Sequence, residues 1–107
     1  METPFRITTP LRLVLDVFMH DVDRARYGLD IARETGLKPG SLYPILARLE
    51  HAGWLTSHWE DLQESEAGRP RRRYYALTRE GALGARVVQA RTSAELARSL
   101  RLRWQQP

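Results

Sequence analysis

Four guanidinium groups fall within five residues at Arg69-Pro70-Arg71-Arg72-Arg73. A guanidinium is a flat fork of N–H donors that never loses its proton, and it fits a phosphate or a guanine edge. Such a run is chemistry for holding a polyanion, not for moving protons. A second group is Ser41, Tyr43, Pro44, Ala47, Arg48 and His51, with Lys38 and Gly40 just ahead of it. On a helical wheel Ser41, Pro44, Ala47, Arg48 and His51 share one side, with Tyr43 on its flank. Small residues with one arginine let a backbone approach DNA closely, and Arg48 is placed to reach a base edge or a phosphate.

Other chemistries find little support. The chain has no cysteine, which removes disulfides, thiolate nucleophiles and cysteine-held zinc. His20, His51 and His58 have no Asp or His partner at metal-ligand spacing, and no glycine-rich phosphate loop is present. We therefore expect no enzyme, no metal and no cofactor. With 107 residues, the chain is too short for a catalytic barrel or a doubly wound sheet. No apolar run approaches the roughly 20 residues that span a bilayer. The first nine residues lack the layout of an export signal, so the expected location is the cytoplasm. The net charge is +4, and 16 of the 17 cations are arginine, Lys38 being the lone lysine. A pI near 10.1 fits a nucleic-acid partner without proving one.

The periodicity supplies the elements that would position these groups. Thr9 and Pro10 open a helix as N-cap and first residue, and Leu11, Val14, Leu15 and Phe18 give it one apolar face. The polar residues 20–26 end it. A short helix over 27–35, with Ile31 and Ala32 inward, stops at Gly36. A third over 39–52 buries Leu42, Ile45, Leu46 and Leu49 and carries Pro44 inside it. Residues 54–60 and 72–78 then read as two strands, joined by a loop rich in turn formers. Trp54, Trp59, Tyr75 and Leu77 are assigned to the hairpin core. Thr78 caps a last helix over 79–104, roughly 38 Å long and too long for so small a domain to cover. Along it Leu83, Val87, Ala90, Ala94, Ala97 and Trp104 fall three or four residues apart, broken only at Arg101. That is a seam of the kind that packs on another helix.

Helix, short helix, sharp turn, helix and β-hairpin make a winged helix-turn-helix, mainly α with a small β-hairpin and a long C-terminal dimerisation helix. The expected division is a DNA-binding domain over 1–78 and the dimerisation helix over 79–107. The third helix would enter the major groove and the hairpin wing would lie along the backbone. Strand side chains alternate, so at most half of the arginine run faces one way. Arg69 and Arg71 are assigned to the DNA side. The acidic half of the loop (Glu60, Asp61, Glu64, Glu66) turns from phosphate or pairs with these arginines in the free protein. A competing reading is a winged-helix module that docks another protein with its third helix.

These residues are also similar to a known family. Tyr27-Gly28, the run from Gly36 through Leu42-Tyr43-Pro44-Ile45-Leu46, Arg48-Leu49-Glu50 and Gly53 carry the resemblance, with Gly68-Arg69-Pro70-Arg71-Arg72-Arg73-Tyr74-Tyr75-Ala76-Leu77-Thr78 and Gly81. The chain resembles the PadR-type transcriptional regulators, in their short branch with a single C-terminal helix. The resemblance implies a homodimeric repressor on a palindromic operator, with release by a small molecule or other effector. It implies Tyr43 and the wing arginines near DNA. It also implies a dimer built by the C-terminal helix with help from the first, through Leu11, Leu15 and Phe18. Two departures stand out. Lys38 replaces the usual capping Ser, Thr or Asn before Pro-Gly. Residues 88–92 lack the aromatic that multidrug-responsive relatives place midway along the last helix.

Overall fold

The computed structural model describes residues 3–61, 63, 66 and 68–105. Its elements are α1 (Thr9–His20), β1 (Arg26–Tyr27), α2 (Gly28–Thr35), α3 (Pro39–His51), β2 (Leu55–Trp59), β3 (Arg73–Leu77) and α4 (Arg79–Trp104). Among the described residues these are four helices and one antiparallel sheet of order β1-β3-β2, a winged helix with a long C-terminal helix. The loop residues Glu64 and Ser65 lie outside the described residues.

Local chemistry explains most boundaries. The cap of α1 is Thr8, one residue earlier than expected, and its hydroxyl accepts from the Leu11 N–H at 3.3 Å. Gly36 ends α2 with φ 75°, a left-handed turn that a side chain would strain. Thr78 caps α4 as expected, accepting from the Gly81 N–H at 2.9 Å while donating to the Gly53 carbonyl at 2.6 Å. One side chain thus ties the start of α4 to the end of the turn after α3.

The strand β1 has no signature in the sequence, because two residues are too few for an alternating pattern to register. It pairs Arg26 with Tyr75 and Tyr27 with Tyr74, which is why α2 starts at Gly28 and not at Tyr27. In the hairpin, Leu55 faces Leu77 and Trp59 faces Arg73.

The core lies between α1, α2, α3, the sheet and the first turns of α4. Leu11, Leu15 and Phe18 are wholly inside it, at 0%, 0% and 1% exposure. This corrects their expected place at a subunit interface: the apolar face of α1 is spent within its own domain. Trp54 is buried as expected, edge-on to Phe5 at 4.8 Å. Trp59 is not in the core. It lies at the far end of β2, past the helices, and is half exposed. Tyr75 is buried, and Leu77 packs partly against the core.

The helix α4 divides in two. Gly81, Gly84, Ala85 and Val88 face the domain. Close approach requires the glycines: a Cβ on Gly81 would overlap the Trp54 carbonyl, and one on Gly84 would overlap the Trp54 ring. Gln89 donates to Asp16 of α1 at 2.9 Å. Beyond Thr92 every described residue of α4 is exposed, and the chain is 66 Å long on its main axis. The expected seam lies on the outer side, where Leu83, Ala90, Ala94, Ala97 and Trp104 are exposed and Val87 is half-buried. Among the described residues, no helix is long and apolar enough to cross a membrane.

Candidate nucleic-acid interface

The helix α3 sorts its side chains cleanly. Leu42, Ile45, Leu46 and Leu49 are buried. Gly40, Ser41, Tyr43, Pro44, Ala47, Arg48 and His51 are exposed. The Tyr43 ring lies against Gly28, where an added Cβ would meet the hydroxyl at 3.0 Å. The first residue of α2 therefore supports the aromatic flank of α3. Lys38 occupies the cap position of α3 without a side-chain capping bond. Its ammonium is exposed at the end of the helix where free backbone N–H groups already favour an anion.

The wing holds its arginines differently. Both Glu60 oxygens accept from Arg69, at 2.7 and 3.2 Å. Arg71 donates from Nε to the Glu60 backbone carbonyl at 2.8 Å. Arg72 lies over the Tyr27 ring, 4.7 Å from its centroid. Arg73 donates to the Ser57 hydroxyl at 2.6 Å, pairs with Glu50 at 3.7 Å and sits over the Trp59 ring at 5.2 Å. Ser57 in turn donates to Glu50. Thus Arg69 and Arg71, expected to face DNA, both turn toward Glu60, and Arg73 links the wing to α3.

Charge and burial set the protonation of this region. The hydrogen bond from Arg69 holds the Glu60 carboxyl below its ordinary range, and Glu60 raises Arg69 in return. Burial pushes the Tyr75 phenol up.

Several participants were given no role at this surface from the sequence. Tyr27, Glu50, Ser57 and Trp59 gain their roles from strand pairing and helix packing, which a linear pattern does not state. Arg26 is a further case. It is 4% exposed, with Nη1 on Glu34 at 3.3 Å and Nη2 on the Val17 carbonyl at 3.0 Å. This arginine braces α1 against α2 and is not presented to a ligand. His58 stacks on Tyr74 with ring centroids 5.8 Å apart. No group of three metal-binding side chains occurs among the described residues.

Comparison with known proteins agrees with this geometry. Residues 17–86, more than half of the chain, match the model of the transcriptional regulator PadR-like family. No curated protein matches. A PadR family transcriptional regulator from Eggerthella lenta DSM 2243 superposes with a TM-score of 0.71 at 27% identity, covering 90% of this chain and 88% of that one. The protein smu.1704 from Streptococcus mutans UA159 gives 0.67 at 28% identity, covering 87% and 86%. A PadR family transcription regulator from Clostridium difficile R20291 gives 0.67 at 24% identity, covering 87% and 98%, and supports the fold alone. A winged helix with an outward-facing third helix and an arginine-rich wing, matched over most of its length by this family, is a DNA-binding regulator's architecture, and the chain belongs to the PadR-like family of transcriptional regulators.

Proposed function

We propose that the chain is a cytoplasmic homodimer that represses transcription from a palindromic operator. The observation that carries this reading is the outward face of α3. Tyr43, Arg48 and His51 stand exposed on a helix whose other face is locked into the core. In the complex α3 lies in the major groove, with Arg48 on a base edge and Ser41, Tyr43 and Pro44 against the groove wall. Lys38, Gly40 and His51 lie at the two ends of that contact, and Arg69 and Arg71 of the wing follow the adjacent backbone. The outer side of α4 supplies the dimer, through Leu83, Val87, Ala90, Ala94, Ala97 and Trp104. A two-fold dimer then matches an operator of two half-sites. An effector that alters the spacing of the two α3 helices would release the DNA.

Fluorescence anisotropy with a duplex from the protein's own promoter region tests the DNA reading. Binding should be tighter than to an unrelated duplex and should weaken steeply between 50 and 200 mM salt, the range over which several phosphate contacts cost about three orders of magnitude or more. Binding without preference or salt dependence would favour the protein-docking module. Light scattering at micromolar concentration tests the dimer, and Val87→Glu should yield monomers. A wild-type monomer would reject the assembly.

A further inference from the structure

The wing carries a carboxylate on a surface where phosphate would repel it. Glu60 follows the last residue of β2 and is held firmly. Its N–H donates to the Arg72 carbonyl at 2.8 Å, and its own carbonyl accepts from Arg71. Its side chain is 12% exposed, grips Arg69 with both oxygens and also accepts from the Arg72 N–H at 3.3 Å. Arg69 is 35% exposed. The pair is thus a bidentate ion pair at the foot of the wing loop.

We propose that Glu60 is a specificity-determining residue, which withholds the charge of Arg69 from arbitrary DNA and yields it only to a fully docked operator. The inference rests on the reading that α3 docks on DNA. Carboxylate and phosphate accept the same two-pronged donor, so a phosphate can replace Glu60 on Arg69 like for like. The exchange leaves the Glu60 charge largely covered, with one backbone donor for compensation, and that is costly. A non-specific complex gains only phosphate contacts and cannot offset this cost. An operator complex gains the base contacts of α3 and can. Specificity is a difference of affinities, and weakening the wrong complex raises it as surely as strengthening the right one.

The test uses the full chain, the promoter duplex and an unrelated duplex of equal length, across a salt series. Glu60→Gln should tighten binding to the unrelated duplex on the order of five- to tenfold per engaged wing near 0.1 M salt, the effect of displacing about one more counterion each. The salt slope on that duplex should steepen by about 0.9 for each wing that engages it. The promoter duplex should gain less, so the preference between the two falls. On the unrelated duplex the double variant Glu60→Gln with Arg69→Gln should return to wild-type behaviour, since it removes the pair without changing net charge. On the promoter duplex it should bind more weakly than wild type, having lost the Arg69 contact. Unrelated-duplex binding that is unchanged or weaker in Glu60→Gln overturns the inference. A double variant that stays tight overturns it too. A wing loosened by the substitution would weaken both duplexes with no recovery in the double variant, and so also counts against it. Wild-type protein that binds neither duplex rejects the DNA reading itself, a result separate from all of these.

Discussion

Along α3 the side chains of Lys38 and Arg48 have no partner among the described residues. In the wing, Arg69, Arg71, Arg72 and Arg73 each already hold one: a carboxylate, a carbonyl, an aromatic face and a hydroxyl. The two surfaces carry the same kind of charge in opposite states. A free cation on a helix adds to DNA affinity from the first encounter. A paired one must first give up its partner, so its contribution depends on how well the duplex docks. Net charge alone, +4, hides this distinction.

The comparison can be broken most severely by removing the support that both surfaces share. Trp54 sits where α3, the wing and α4 meet, and Gly81 leaves no room for a side chain beside its carbonyl. Gly81→Ala should cost roughly 3 kcal/mol or more and lower the melting temperature by about 10 °C or more. A melt within a degree or two of wild type would show that the packing is looser than described. Next in size is Arg48→Ala. If the free cation on α3 reads a base, the variant loses about 1–3 kcal/mol of operator affinity and keeps its stability. Unchanged affinity would place the base contact elsewhere on the helix.

Arg73→Ala addresses the link between the surfaces. It removes the contacts to Ser57, Glu50 and Trp59 together. The groups are more than a third exposed, so stability should fall by only about 1 kcal/mol. Operator affinity should fall as well, because the wing loses its tie to α3. A stability loss with no change in affinity would mean that wing and helix act independently. The smallest effect is expected from Lys38→Ser. A serine can cap α3 where lysine makes no capping bond, raising stability by about 0.5–1 kcal/mol. The same change removes a free cation from each subunit, so affinity should drop about equally for operator and unrelated DNA, with the salt slope shallower by about 0.9 per subunit in contact.

Much of this molecule is legible from residue spacing. The buried faces of α1 and α3, the glycine stop after α2, the threonine cap of α4 and the hairpin all follow from local rules, since helix and strand periods act over a few residues. The outward face of α3 is legible for the same reason. The apolar face of α1 was legible as well, but its destination was not. Leu11, Leu15 and Phe18 are as suited to a partner as to their own core, and only packing shows which receives them. Trp59 repeats the lesson: its alternation along β2 is correct, yet the strand outruns the core.

The linear order of residues is enough to determine a winged helix-turn-helix, with a basic wing and a last helix longer than its domain. It could place Glu60 and Arg69 in one loop as an acidic half and a basic half. Tertiary structure decided that Glu60 and Arg69 pair, that Arg73 reaches back to α3, and that Arg26 is a buried brace. These outcomes depend on strand register and helix approach, which bring residues 9 and 16 positions apart within hydrogen-bond range. A guanidinium can serve a phosphate, a carboxylate or an aromatic ring with equal ease, and which one it meets is set by the fold.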